Sequence, residues 1–377
     1  MPLITAAFDS GNIEVVSADD PSDIRLRIRS DSEADFRQWF HFRLSGARGV
    51  ACQMTIENAG DCSYTRGWEG YSAVVSEDRL NWVRTETEYT AGKLVIHYQP
   101  ASDHAYFGYF APYSLERHAD LVAGCLGHPR CSLEVPGRTV QGRDIDLLTI
   151  GEPGEGKPNL WLIARQHPGE SMAEWFMEGF LERLLDGEDG VSRAVLNRAA
   201  VYAVPNMNPD GSYLGNLRVN AAGANLNREW ADPSEEKSPE VFHVRRRMHE
   251  EGIDLCLDVH GDEGLPYNFI AGFEGVPEPG EARLAALERF KTTLARINPD
   301  FQTEHGYPKA PAGKGNLTTS TGHLAHALGA MSMTLEMPFK DAANAPDPEL
   351  GWSPGRAMAL GRSTVDALLD ITEALGK

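Results

Sequence analysis

The sequence predicts a two-part α/β protein: an antiparallel β-sandwich at residues 1–115, and then, at residues 116–377, a mixed sheet with helices on both faces. The first part contains short β-type runs between turns and shows no long helical period, which is typical of an antiparallel sandwich. In the second part, apolar runs of strand length alternate with helix candidates, which favours a mixed or parallel sheet between two helical layers. The length of 377 residues also exceeds one ordinary domain.

The individual elements are predicted from apolar and alternating runs. In the first part the strand candidates are 12–16, 23–28, 38–44 and 93–98. In the second part they are 145–150, 159–164, 199–204, 253–259 and 331–335, and the helix candidates lie near 171–185, 238–250, 280–296 and 355–375. We expect the aromatic segment 105–113 to pack in the core, rather than to line an interface or a substrate path. A Gly/Pro-rich stretch at 308–315 is expected to form a loop at a pocket mouth.

The excess of acidic over basic side chains disfavours polyanionic partners. The chain has 35 basic and 55 acidic side chains, a formal net charge of −20, and such a field repels nucleic acid and anionic membranes. No apolar run is long enough to span a bilayer, and the amino terminus lacks the basic region and apolar core of a signal peptide. Five cysteines without a CxxC pair do not predict a disulfide framework. We therefore expect a cytoplasmic protein with neither nucleic-acid nor membrane partners, and the oligomeric state stays open.

An HPGE sequence at 167–170 follows the strand predicted at 159–164 and precedes a predicted helix. Turns at the carboxyl ends of strands are where α/β folds place ligands. The imidazole of His167 and the carboxylate of Glu170 can point at one spot, and zinc accepts both kinds of ligand. The motif alone does not distinguish a metal site from an ordinary turn.

A second buried strand ends at His260, which is followed by Gly261. His260 is therefore a candidate third ligand, and with His167 and Glu170 it completes a two-His, one-Glu set like that of several zinc hydrolases. We expect Asp258, two residues earlier, to point to the opposite side of the strand and to serve as a framework residue rather than a ligand.

Two further stretches carry candidate chemistry. The segment 215–230 is rich in Gly, Asn and Arg, which is consistent either with anion recognition by its two arginines or with a solvated loop. Downstream, Glu336 ends an apolar strand. A glutamate there is commonly exposed, but beside a zinc ion it can take a proton from an attacking water.

The ordered set of motifs resembles the M14 zinc metallocarboxypeptidases over nearly the whole chain. The set consists of HPGE, NPDG at 208–211, GNLR at 215–218, LNREW at 226–230, and the strands that end in His260 and Glu336. Within that family the sequence is similar to the cytosolic carboxypeptidase branch, whose members carry an amino-terminal β-sandwich before the peptidase domain. The resemblance implies the same order of domains here.

The resemblance also implies residue roles. One Zn²⁺ per chain would be bound by His167, Glu170 and His260. Glu336 looks like the general base and acid, and Arg218 looks like the cation that polarises the scissile carbonyl and holds the oxyanion.

Substrate recognition is implied in the same way. Asn227 and Arg228 look like the clamp on the terminal carboxylate, which predicts an exopeptidase acting on peptide or protein C-termini. The cytosolic branch removes acidic residues, often glutamate, so a basic pocket is expected. Lys309 and Lys314 are candidates for it, although we expect lysines in such a loop to be solvated.

The sequence departs from the family pattern at one position, and one tyrosine cannot be aligned. Asn225 stands where the family usually has an aspartate that orients a zinc histidine, so the charge that raises ligand basicity is missing. The downstream tyrosine of the digestive enzymes has no clear match, and Tyr307 is only near in sequence. His323 and His326 are expected to be a pocket wall or surface, not a second metal site.

Two alternative functions stay open from the sequence. The first keeps the metal but hydrolyses an N-acyl amino acid, as in related deacylases. The second is a non-catalytic peptide-binding module. The amino-terminal sandwich and the NPDG segment favour a peptidase over the deacylase, and retention of the ligand set and Glu336 argues against a module without activity.

Overall fold

Three β-sheets organise the chain, as seen in a computed structural model that describes residues 2–375. Two sheets of five strands come from the first part of the chain and one sheet of seven strands comes from the second. The sandwich strands are β1 (Leu3–Thr5), β2 (Glu14–Ser17), β3 (Ile24–Arg27), β4 (His41–Ser45), β5 (Cys52–Ile56), β6 (Val74–Ser76), β7 (Val83–Arg84), β8 (Thr87–Thr90), β9 (Lys93–Tyr98) and β10 (His104–Gly108).

The sandwich prediction is confirmed. One sheet has the order β1-β4-β10-β6-β7 and the other has the order β2-β3-β5-β9-β8. Neighbouring strands are antiparallel except for β3 and β5, which pair in parallel. The two sheets meet through apolar side chains, for example where the ring of Tyr98 on β9 contacts that of Phe107 on β10, with centroids 5.5 Å apart.

The second domain contains a mixed sheet, again as predicted. Its strands are β11 (Cys131–Glu134), β12 (Leu147–Ile150), β13 (Asn159–Ala164), β14 (Ala200–Val204), β15 (Leu255–Asp262), β16 (Phe269–Ala271) and β17 (Met331–Pro338). The order is β11-β12-β14-β13-β15-β17-β16. The four central strands β14, β13, β15 and β17 are parallel, and the edge strands are antiparallel to their neighbours.

Helices cover both faces of this sheet. They are α1 (Leu115–Leu126), α2 (Met172–Leu184), α3 (Gly190–Arg198), α4 (Pro209–Leu214), α5 (Pro239–Glu251), α6 (Glu281–Ile297), α7 (Ser320–Ala327) and α8 (Pro354–Leu375). Successive side chains of β13 enter different cores, since Leu162 packs in the core with α2 and α8, whereas Trp161 packs in the core with α5 and α7. Such two-sided burial requires the continuous apolar strands that the sequence shows.

The aromatic segment 105–113 joins the two domains. It is largely buried, as expected, but it packs at the junction: the ring of Tyr109 stacks on that of Phe339 with centroids 4.4 Å apart. The indole of Trp175 donates a hydrogen bond to the carbonyl of Ala111 at 3.0 Å. The last sandwich strand ends at Gly108 and α1 begins at Leu115, so the boundary predicted between residues 115 and 116 falls one residue inside α1, and the division stays a prediction. Within residues 2–375, no helix is both long and apolar enough to cross a membrane.

Candidate active site

The parallel register of the central strands brings the candidate residues to one edge of the sheet. Ala164 at the end of β13 pairs with Val259 on β15, and His260 pairs with Glu336 on β17. His167 lies three residues beyond the end of β13, and Glu170 lies just before α2. Because the strands run in the same direction, their carboxyl ends meet, and so do the side chains that follow them.

A buried arginine holds the HPGE turn in place. Arg165 has a positive φ of 58°, a left-handed backbone conformation that reverses the chain after β13. Its guanidinium donates to the carbonyl of Pro168 at 3.0 Å and to the carboxylate of Glu174 on α2 at 2.6 Å. The turn is thereby tied both to itself and to the helix that follows, which fixes the directions of His167 and Glu170.

Three side chains converge at this edge. The Nδ1 atom of His167 lies 2.7 Å from Oε1 of Glu170, and the Nδ1 atom of His260 lies 2.8 Å from Oε2. The two Nδ1 atoms are 3.1 Å apart, and all three side chains are buried. Across residues 2–375, no other group of three His, Cys, Asp or Glu side chains brings possible ligand atoms this close, within 4.8 Å of one another.

The opposite ring nitrogens determine which atoms are free to bind a metal. Nε2 of His167 lies 3.1 Å from Oδ1 of Asn225, and Nε2 of His260 lies 2.9 Å from Oδ2 of Asp258. An oxygen acceptor keeps the proton on Nε2 and leaves the lone pair on Nδ1. Two imidazole nitrogens and one carboxylate, all directed at one point, fit zinc.

The expectation for Asp258 is wrong in one respect. Side chains alternate along a strand, so residues 258 and 260 share a face, and Asp258 lies beside His260 instead of on the opposite side. It does act as a framework residue, since its carboxylate also accepts from Nε2 of Gln166 at 2.6 Å and from the hydroxyl of Ser320. The charged partner that is missing at Asn225 is therefore present at the other histidine.

The protonation preferences of the cluster follow from burial and neighbouring charge. Burial, together with Arg218, lowers the pKa of His167 to about 4. Burial alone would raise the pKa of Glu170, but the two imidazoles outweigh it and hold that pKa well below its ordinary value. Despite its burial, His260 has a pKa well above its ordinary value because Asp258 and Glu170 face it. The carboxylates of Asp258 and Glu170 therefore face His260, whereas the Arg218 guanidinium faces His167.

Glu336 pairs with His260 in the register of β15 and β17, and it lines the same cavity although it is only 8% exposed. Burial raises the pKa of its carboxyl group well above the ordinary value. Its Oε2 atom has no hydrogen-bond partner among residues 2–375, whereas Oε1 accepts from the hydroxyl of Tyr307 at 3.3 Å. The same hydroxyl donates to Asp262 at 2.5 Å. Tyr307 therefore lies at the site. Its position could not be predicted from the sequence, because loop 298–319 shows no periodic pattern.

The two arginines occupy different positions. The guanidinium of Arg218 lies over the ring of Tyr64, 5.5 Å from its centroid. Burial opposes its charge, but Tyr64, Glu170 and other acidic groups raise the pKa of Arg218 above its ordinary value. Arg228 is exposed and donates to the carbonyl of Asn227 at 2.6 Å. The Nδ2 atom of Asn227 lies 3.4 Å from Nε2 of His260.

All of the predicted site residues line or adjoin a single cavity of about 830 Å³. His167, Glu170, Arg218, Asn227, Arg228 and Glu336 line it directly, and His260 lies beneath. Residues 63–67 of the sandwich form part of the wall, which sequence reasoning missed because no local pattern reports a contact between domains.

The lysines and histidines considered as pocket residues differ in whether they line the cavity. Lys309 lies on the cavity wall, as do its neighbours in the 308–315 loop. Its ammonium contacts Glu274 at 3.2 Å and Glu288 at 3.3 Å. Lys314 is exposed and lies outside the wall, and His323 and His326 lie on α7 away from the cavity.

The fold, and a site in which two histidines and one glutamate are candidate metal ligands, indicate a metallohydrolase built on an α/β sheet. Residues 127–340 match the family model for zinc carboxypeptidases, and residues 4–110 match that for the cytosolic carboxypeptidase N-terminal domain. The chain belongs to the M14 zinc carboxypeptidase family and carries the amino-terminal domain of its cytosolic branch. It is therefore a hydrolase of the exopeptidase class.

Solved relatives share the whole architecture. A metallo-carboxypeptidase from Burkholderia cenocepacia is 48% identical with a TM-score of 0.96, and the match covers 98% of both chains. A metallo-carboxypeptidase from Pseudomonas aeruginosa, solved with (2-guanidinoethylmercapto)succinic acid, is 44% identical with a TM-score of 0.96, over 99% of this chain and 100% of that one. Human cytosolic carboxypeptidase 2 is 29% identical over 306 residues, which are 72% of this chain but only 34% of the human protein. The chain thus spans about a third of that longer relative.

The contact between Asp258 and His260 generates a test. We expect Asp258→Asn to weaken zinc binding about 10- to 100-fold, because the amide keeps the shape but removes the charge that faces Nε2. The measurement is competition for zinc with a chromophoric chelator. Asp370→Asn is the control, since Asp370 on α8 accepts from Arg289 at 2.7 Å and from Thr293 at 2.8 Å, both on α6, and contacts none of the candidate ligands. Equal zinc affinities in the two variants would contradict the role of Asp258.

Proposed function

We propose that the protein removes the C-terminal amino acid from peptides or proteins, using one zinc ion held by His167, Glu170 and His260. The observation that supports this most strongly is the convergence of two Nδ1 atoms and one carboxylate within 4.8 Å. A zinc ion bound there supplies a Lewis acid for the scissile carbonyl and lowers the pKa of water to about 7.

Glu336 is the proposed general base and acid. Its unpartnered Oε2 atom is available to take a proton from the attacking water and to pass it to the leaving amine. Its buried position supports this role, since a raised pKa makes the carboxylate a stronger base. We propose that the hydroxyl of Tyr307 shares its single proton between Asp262, at 2.5 Å, and the other oxygen of Glu336, at 3.3 Å, and so limits the orientation of this carboxylate.

The two arginines are proposed to bind different parts of the substrate. Arg218, charged and close to Glu170, meets the negative charge that develops on the carbonyl oxygen. Asn227 and Arg228 bind the terminal carboxylate through paired hydrogen bonds. Such a clamp places the last peptide bond over the metal ligands, which is why the cleavage is confined to chain ends.

The alternatives have less support. A deacylase shares the metal chemistry, but the family match over residues 127–340 is to carboxypeptidases and an amino-terminal carboxypeptidase domain precedes it. A non-catalytic module would not need Glu336 beside an intact ligand set. The cytoplasmic location and the lack of nucleic-acid and membrane partners stay predictions.

The role of Glu336 can be tested by one isosteric change. We expect Glu336→Gln to lower kcat by about 10³-fold or more, because the amide cannot accept the proton, while one zinc per chain stays bound. The measurement is the rate of hydrolysis of a blocked dipeptide and of an N-acyl amino acid by the unmodified protein and by the variant, with the zinc content of each protein determined in parallel. Unchanged activity would reject the assigned base, and faster cleavage of the acylated amino acid would favour the deacylase.

The preferred side chain is a finer proposal that depends on Lys309. We propose that this lysine recognises an acidic C-terminal residue, because it is the cation on the wall formed by residues 270–276 and 307–310. Its contacts with Glu274 and Glu288 would have to loosen, and Glu288 has a second partner in Lys291 at 2.6 Å. The guanidino ligand of the Pseudomonas aeruginosa relative favours the opposite choice, a basic side chain against Glu274.

A pair of lysine variants separates these choices. We expect Lys309→Met to lower kcat/KM for a C-terminal glutamate about two- to fivefold relative to alanine, because an exposed charge pair contributes about 0.5–1 kcal/mol. Lys314→Met is the matched control and should leave the ratio unchanged. Mass spectrometry of a peptide library reports all side chains together. Faster release of arginine or lysine, reduced by Glu274→Gln, would contradict the acidic preference.

A further inference from the structure

A carboxylate of the sandwich binds the backbone of the segment that carries Arg218. The amide N–H of Leu217 donates to Oδ1 of Asp31 at 2.6 Å. The amides of Arg218 and Val219 donate to Oδ2 at 2.7 and 3.2 Å. Asp31 lies between β3 and β4 and is only 5% exposed, so three consecutive amides of one domain converge on one buried side chain of the other.

Burial of Asp31 disfavours its charged form, and the three amides partly offset this effect. Burial raises the pKa of Asp31 to about 6, although the three amides and Arg218 oppose the shift. Leu217, Arg218 and Val219 lie outside any helix or strand, so their amides need another partner. Successive amides in such a stretch form a concave anion site, and a carboxylate makes charge-assisted hydrogen bonds to them.

Neighbouring contacts from the sandwich hold the same segment on both sides. The backbone N–H and the hydroxyl of Ser32 both donate to Oδ1 of Asn216 at 3.1 Å. The side-chain amide of Asn12 donates to the carbonyl of Gly215 at 2.9 Å. The ring of Tyr64 lies against the guanidinium of Arg218. The sandwich therefore touches this arginine at its backbone and at its charged end.

We propose that Asp31 is a positioning residue for Arg218, so that the sandwich completes the active site. This inference rests on the proposed role of Arg218 at the developing oxyanion. Asp31 fixes the backbone from which the guanidinium extends, and a shift of about 1 Å in such a group can cost about 100-fold in rate. The Asn227–Arg228 clamp extends from another segment, whereas the HPGE turn contacts this one, since the amide N–H of Gly169 donates to the carbonyl of Leu217 at 2.9 Å. Loss of Asp31 should therefore lower kcat and leave KM largely unchanged, and the zinc content is measured to show that the loss does not act through the candidate metal ligands.

The test combines single variants with a double-mutant cycle. We expect Asp31→Ala to lower kcat about 10- to 100-fold, with KM within about twofold and one zinc per chain retained. Asp31→Asn, which keeps one acceptor oxygen, should lie in between and serves if the alanine variant fails to fold. Asp9→Ala is the matched control, because the Asp9 carboxylate also joins the domains, through the amide of Leu115 at 2.7 Å, away from Arg218.

The decisive readout is the effect of Asp31→Ala in an Arg218→Ala background, where the inference predicts no further loss of kcat. An equal loss in both backgrounds, or a loss that follows the folded fraction measured by circular dichroism, would overturn the positioning role. If Arg218→Ala lowers kcat but Asp31→Ala keeps full activity, the positioning role of Asp31 is rejected and the proposed role of Arg218 stands. Full activity in Arg218→Ala would reject the proposed role of Arg218, and the inference with it.

Discussion

The parallel register of β13, β15 and β17 is the constraint on which the site depends. It aligns Ala164 with Val259 and His260 with Glu336, so that residues far apart in sequence emerge at the same edge. The strands are apolar on both faces, and the helical layers that cover them fix the register. A slip of one residue would reverse the faces of His260 and Glu336 and separate them from the HPGE turn.

Several charged or titratable side chains are buried around this edge, and hydrogen-bond partners orient them. Asn225 and Asp258 hold the two imidazoles through their Nε2 atoms, so both Nδ1 atoms face Glu170. Oε2 of Glu336 has no partner among residues 2–375, which is also true of Oδ1 of Asp258, but of these two residues only Glu336 lines the cavity. An unpaired buried oxygen is expensive for folding and useful for proton transfer, which is consistent with its proposed role. Asp31 is a further buried carboxylate with hydrogen-bond partners, and its partners lie in the other domain.

Much of this was predictable from sequence because it depends on local patterns. Strand 159–164 was predicted with its observed bounds, and the candidate ligands were predicted from the rule that chemistry lies at strand ends. Short helices such as α3 and α4 were not predicted, since so few residues show little periodicity. Tyr307 and Asp31 act through contacts between distant segments that no local pattern encodes. Asp258 was placed wrongly by misapplying the alternation of a strand, not for lack of a signal.

The central claim is that two Nδ1 atoms and one carboxylate bind a single divalent ion. The most direct measurement is anomalous X-ray scattering from crystals of the zinc-loaded protein, recorded above and below the zinc absorption edge. The account predicts one anomalous peak per chain, at about 2.0–2.2 Å from Nδ1 of His167, Nδ1 of His260 and the carboxylate of Glu170. A peak elsewhere, coordination through Nε2, or no bound zinc at all would contradict it.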